Sequence, residues 1–199
     1  NDFEGSVAYL SPVNECEWAG SNCDEELCLQ GVVFEEEINV RGTLPHELGS
    51  LEFLQVISLE NQQITGTIPS SLGDPPLRII DFDFNRLTGT IPDSIYTLSA
   101  LEQLDLNNND LSGTLSNDVG NLSSLIFLQL HFNQFTGTIP DSLLKTPILV
   151  AEFQNNGFVG NMPLCVGANG QTITAISADC GPLSGALVTC GEGCGCDCY

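Results

Sequence analysis

Four carboxylates carry the most chemistry in this sequence. Asp81 and Asp83 are separated by one residue, so on an extended strand both side chains leave the same face. Glu60 and Asp105 lie about two dozen residues to either side. A hard divalent cation such as Ca2+ takes several oxygen ligands at once, which makes Glu60, Asp81, Asp83 and Asp105 the candidate metal set. No D-x-D-x-D-G loop is present, and carboxylates prefer exposure, so solvated charge is expected and no cofactor beyond that Ca2+ candidate is implied. Paired carboxylates such as Asp81 and Asp83 also raise the question of a glycosidase acid–base dyad. Two neighbours on an exposed strand would both stay ionised, however, since raising one requires burial or forced proximity. The two histidines, His46 and His131, are expected on different surfaces. With no G-x-S-x-G turn and no phosphate-cradling glycine loop, binding is expected rather than catalysis.

Cysteines form the other reactive set. Cys16, Cys23 and Cys28 lie at one end, Cys165, Cys180, Cys190, Cys194, Cys196 and Cys198 at the other, with none between. That distribution fits disulfide-sealed caps in an oxidising, extracellular setting. The C-x-C-x-C run at Cys194, Cys196 and Cys198 could hold a soft metal but lacks the second pair that structural zinc needs. An odd count leaves one thiol free, joined to another molecule, or joined to a cysteine outside this stretch. The 199 residues are 42% hydrophobic, which argues for a folded core. Against 26 acidic residues stand only Arg41, Arg78, Arg86 and Lys145, for a net charge of −22. Nucleic acid and anionic membrane surfaces are disfavoured, and cationic partners are favoured. No apolar run is long enough to span a bilayer, and the absence of an apolar leader after Asn1 fits a signal peptide already removed or a chain trimmed at that end. Asn121-Leu122-Ser123 is a glycosylation sequon.

The elements that position these groups are repeats. Gly42, Gly66, Gly89, Gly113, Gly137 and Gly160 recur at steps of 23 or 24 residues within one pattern, the period of a leucine-rich solenoid. In Leu101-x-x-Leu104-x-Leu106-x-x-Asn109-x-Leu111-x-Gly113, strand alternation turns Leu104 and Leu106 inward and Gln103, Asp105 and Asn107 outward. The inward places recur as Ile57/Leu59, Ile80/Phe82, Leu128/Leu130 and Ala151/Phe153. Asn85, Asn109, Asn133 and Asn156, with Gln62 substituting once, are expected to satisfy backbone groups as the chain leaves each strand. In the first coil, Glu35 falls at an inward place and Ile38 at the asparagine place, leaving that register uncertain.

The pattern L-x-x-L-x-L-x-x-N-x-L-x-G-x-I-P resembles the plant-specific class of leucine-rich repeat found in receptor-kinase ectodomains and polygalacturonase-inhibiting proteins. The resemblance implies a right-handed α/β solenoid of about six coils over residues 29–163, with a parallel sheet lining a concave, ligand-binding face. It also implies an amino-terminal cap over 1–28, where Trp18 and a cysteine pair cover the first coil; Cys16 is expected to pair with Cys23 or Cys28. The carboxy-terminal cap, 164–199, resembles the cysteine-crowded tails of extracellular repeat proteins of diatoms and related algae.

Stacking in register turns outward residues into columns about 5 Å apart. The first is Val56, Ile79, Gln103, Phe127 and Val150; the second Ser58, Asp81, Asp105, Gln129 and Glu152; the third Glu60, Asp83, Asn107, His131 and Gln154. An apolar strip beside an acidic one suits a cationic or amphipathic protein, peptide or cell-wall glycan. Residues flanking the glycines, Thr65/Thr67, Thr88/Thr90, Ser112/Thr114 and Thr136/Thr138, form a hydroxyl ladder. It resembles the flat face of ice-binding solenoids and offers an alternative, adsorption to ice or polysaccharide. A divalent-cation-dependent adhesion or matrix protein is the third reading.

Overall fold

The structure, a computed structural model, describes residues 14–17, 20–34, 39–162, 175–179, 188–190 and 197–198. Leu104 and Leu106 are buried, and so are Ile57/Leu59, Ile80/Phe82, Leu128/Leu130 and Ala151/Phe153. A three-residue strand with two such side chains cannot exclude water alone, so the coils stack. The strands Leu29–Val33, Val56–Ser58, Ile79–Asp81, Gln103–Asp105, Phe127–Gln129 and Val150–Glu152 run parallel in one long sheet. Ser21–Cys23 adds an antiparallel edge, and Ala175–Ala178 and Asp197–Cys198 extend the other end to make nine strands. In each coil the chain then enters a second parallel sheet, through Arg41–Thr43, Gln63–Gly66, Arg86–Gly89, Asp110–Thr114, Gln134–Gly137 and Gly157–Phe158.

Each return path carries a 3-10 helix: His46–Ser50, Ser70–Gly73, Asp93–Thr97, Asn117–Asn121 and Asp141–Lys145. All helical segments among the described residues are of this short type. Two strands and their turns use most of a 23- or 24-residue period, which leaves room for about one helical turn. Proline precedes four of them, Pro45, Pro69, Pro92 and Pro140, in extended conformation. Each helix also buries an apolar side chain, such as Leu72 or Ile95, against the core.

The asparagines hold the two sheets together as expected. Asn109 Nδ2 donates to the carbonyls of Phe82, Leu106 and Asn107, while its Oδ1 accepts from the backbone N–H of Leu87 in the preceding coil. Asn85 repeats the arrangement with Leu59, Phe82, Asp83 and Ile64. Gln62 accepts from Val40 N–H and donates to Glu60 O. One side chain thereby replaces ladder partners that the bending backbone has lost.

The first coil differs from the sequence expectation. Val32 pairs with Ile57 in the long sheet, and Val32 and Phe34 fill inward places. The strand begins a residue earlier because Leu29 is also buried and sets its phase. Glu35 and Ile38 lie outside the described residues.

At this end Cys16 and Cys23 form a disulfide with Cα atoms 5.8 Å apart. Cys28, expected among the bridged cysteines, has no disulfide partner among the described residues, Cys16 having joined Cys23 instead. Trp18, Cys165, Cys180, Cys194 and Cys196 lie outside the described residues. Cys190 belongs to Val188–Cys190 and Cys198 to Asp197–Cys198.

Candidate functional site

The outward columns form as the alternation requires. Val56, Ile79, Gln103, Phe127 and Val150 stand opposite one another in order, and so do Ser58, Asp81, Asp105, Gln129 and Glu152. Phe127 is 39% exposed, while Val56, Ile79, Gln103 and Val150 are half-buried between neighbouring strands. The third column follows past the strand ends, where Asn61, Phe84 and Asn108 N–H donate to the carbonyls of Asp83, Asn107 and His131.

The carboxylates depart from the expectation of solvated charge. Asp83 and Asp105 are buried, at 8% and 6% exposure, and Asn107 between coils is buried with them. One oxygen each from Asp81, Asp83 and Asp105 lies within 4.8 Å of the others; Glu60, the fourth candidate, stands outside that group but acts on Asp83 through its charge. Burial, reinforced by Asp81, Asp105 and Glu60, pushes the Asp83 carboxyl up to about 8. Burial likewise raises Asp105 to about 7, against hydrogen bonds from Asn107, and raises Asp81 against hydrogen bonds from Asp83. The proximity follows the columns expected from the sequence, but the burial does not, and with it these groups do not all stay ionised at neutral pH.

Further along the sheet, Gln129 Nε2 donates to Glu152 Oε2 at 3.1 Å. His131 Nδ1 lies 3.2 Å from the same oxygen but is not aligned for a hydrogen bond. Burial lowers the His131 pKa, opposed by the Glu152 charge. His46 sits on a return-path helix, beside Glu47. The two histidines therefore occupy different surfaces.

Sequence reasoning passed over Phe84 and Phe132. Both follow the third column, are about half exposed, and hold left-handed backbone with φ of 48° and 54°. The equivalent places in other coils are Asn61, Asn108 and Asn155, also left-handed. Asparagine tolerates that conformation, whereas a phenylalanine there costs about 1–2 kcal/mol. The signal was in the sequence, as a bulky apolar residue interrupting an asparagine row.

The threonine ladder also forms, on the second sheet. Thr65, Thr88, Ser112 and Thr136 each donate a hydroxyl to the glycine carbonyl of the preceding coil, Gly42, Gly66, Gly89 and Gly113. The other row, Thr67, Thr90, Thr114 and Thr138, is exposed, and its methyls cover the glycines of the next coil. A Cβ on Gly113 would sit 2.7 Å from Thr90 Cγ2. Asn121 is exposed at the end of its 3-10 helix.

Residues 75–135 match the family model described as leucine rich repeat, and residues 53–74 match a second model of that description. No curated protein matches the sequence closely enough to count as a relative. Among solved structures, the plant peptide hormone receptor RGFR1 in complex with RGF2 is 31% identical, with a TM-score of 0.66, over 68% of this chain and 22% of the receptor. Pollen Receptor Kinase 3 is 25% identical, with a TM-score of 0.74, over 93% of this chain and 86% of that one. A plant ice-binding protein is 22% identical, with a TM-score of 0.68, over 90% of this chain and 64% of that one, a likeness of fold alone. The chain spans about a fifth of the longer receptor ectodomains that it matches.

Proposed function

We propose that this chain, a plant-type leucine-rich-repeat protein, is an extracellular recognition module. It binds a basic or amphipathic peptide, or such a segment of a protein, on the outward face of its long sheet. The observation that carries the reading is the register, which sets the apolar column of Val56, Ile79, Phe127 and Val150 directly beside the acidic column of Asp81, Asp105 and Glu152. Apolar area supplies affinity, and the carboxylates supply orientation and encounter rate. Phe84 and Phe132 extend the apolar contact past the strand ends, where their strained backbone is tolerated for a purpose other than folding. The resemblance to a hormone receptor solved with its ligand supports this reading. The Cys16–Cys23 bridge supports the extracellular setting. No helix among the described residues is long and apolar enough to cross a membrane.

Capture of partners from the native extracellular milieu tests the face. A Phe127→Ala, Asp105→Ala double variant is expected to lose the partners that the wild type retains, and equal recovery of every partner by both proteins would exclude the assignment.

The exposed threonine row supports a second reading, adsorption to ice or a polysaccharide surface, because its hydroxyls repeat at strand spacing on one face. It ranks lower, since the companion hydroxyls are already engaged by glycine carbonyls. Thermal hysteresis in the wild type, abolished by replacing Thr90 and Thr114 with arginine, would reverse that ranking.

A further inference from the structure

Acidic side chains often gather without a ligand, so the proximity of Asp81, Asp83 and Asp105 assigns nothing by itself. The second observation is at Asp83. Its side chain is more than nine-tenths buried, and its Oδ1 is shielded from water without a hydrogen-bond partner among the described residues. The charged groups acting on it, Asp81, Asp105 and Glu60, are acceptors like itself, so the carboxyl is met only by a proton shared with Asp81 or by a cation from outside. An orphaned buried acceptor costs free energy until something positive or hydrogen-bearing reaches it.

The donors nearby are already committed elsewhere. Asn107 gives both its backbone and side-chain N–H to Asp105 Oδ1, and Asp83 N–H points to Asp81 Oδ1. The chain's cations do not neutralise the group either. Arg78 is held by Glu102 at 2.7 Å, Arg41 and Arg86 belong to the second sheet, and Lys145 ends a return-path helix.

We propose that Asp81, Asp83 and Asp105 form a binding site for one divalent cation of the Ca2+ type on the outward face of the long sheet. Calcium–oxygen distances of about 2.3–2.6 Å place ligands on opposite sides of the ion roughly 5 Å apart, which accommodates the 4.8 Å span of these oxygens. Glu60, in the Asp83 column of the preceding coil, adds negative charge beside the ion, and water completes the shell. Three carboxylates on an open sheet put the expected dissociation constant at about 10⁻⁴–10⁻³ M, the range of extracellular calcium modules. The inference goes beyond the recognition reading and does not depend on it.

Calorimetric titration of the purified chain with CaCl2, at near-physiological NaCl and mildly alkaline pH, is the test. One Ca2+ per chain is expected, weakened by at least about tenfold in Asp83→Asn and in Asp105→Asn. Asp118→Asn, on a return-path helix, should bind as the wild type does and so controls for diffuse attraction to a highly acidic protein. Circular dichroism and melting of each variant show that it is folded. The wild type should melt higher with millimolar Ca2+, and Asp83→Asn should melt at least as high as the metal-free wild type but no longer respond. Absence of heat with the wild type, or equal weakening in Asp118→Asn, would overturn the site. A basic peptide that binds the wild type but not Asp83→Asn, where Ca2+ gives no heat, would assign the cluster to a cationic side chain instead. Because no partner is needed in the titration, its failure leaves the recognition reading standing.

Discussion

The two sheets of this solenoid are made from the same repeat, yet they treat polar groups in opposite ways. On the second sheet, hydroxyls of one coil answer the glycine carbonyls of another, and threonine methyls cover the glycines. On the long sheet, carboxylates are stacked on carboxylates, and Asp83 Oδ1 has no hydrogen-bond partner among the described residues. A face that satisfies itself is explained by folding, whereas a face that keeps costly groups unsatisfied points to something outside the chain. The contrast is the reason to look for ligands on the long sheet first.

Breaking the seam between the sheets should have the largest effect. Asn109→Ala removes four hydrogen bonds that reach both sheets and is expected to cost about 3–4 kcal/mol in chemical denaturation. Gly113→Val attacks the second sheet alone. Its φ of 87° and the 2.7 Å approach to Thr90 Cγ2 predict a loss of about 2–3 kcal/mol and a lower melting temperature. A loss confined to a few tenths would mean that the glycine row is not what spaces the coils.

A pH series sharpens the comparison from the long-sheet side. Asp83 and Asp105 hold their protons to about 8 and about 7 in the folded chain, whereas unfolded aspartates release theirs near 4. Over that interval the folded state binds more protons, so metal-free stability should fall as pH rises from about 4 to 8 and level off above it. A monotonic decline across that window is expected, and Asp83→Asn should flatten much of it. An unchanged slope in that variant would place the pH dependence elsewhere.

Smaller effects separate function from folding. Phe84→Asn relieves a left-handed phenylalanine and should stabilise the chain by about 1 kcal/mol while reducing partner capture. Unchanged capture would remove Phe84 from the contact face. Thr88→Val deletes one exposed hydroxyl bond to Gly66 O and should cost no more than about 0.5 kcal/mol with no effect on capture.

Features that depend on the period were legible in the sequence. Spacing of the glycines, inward pairs such as Leu104/Leu106, the asparagine seam and the membership of each outward column all follow from one alignment, because a solenoid repeats its neighbours as it repeats its sequence. Phe127 as an exposed outward aromatic followed from strand alternation alone. The bridge at the amino-terminal end was legible as a choice between two partners.

What only the tertiary structure decided concerns contacts between coils and the ends where the period fails. Asp83 and Asp105 are buried rather than solvated, an outcome set by how neighbouring coils stack their side chains against one another. The first coil took its phase from Leu29 and Val32 rather than from the repeat pattern. Cys16 joined Cys23 rather than Cys28. Sequence determines which way a side chain faces because that is local backbone geometry, but burial and charge state depend on what the next coil brings within a few ångströms, and that is a property of the stack.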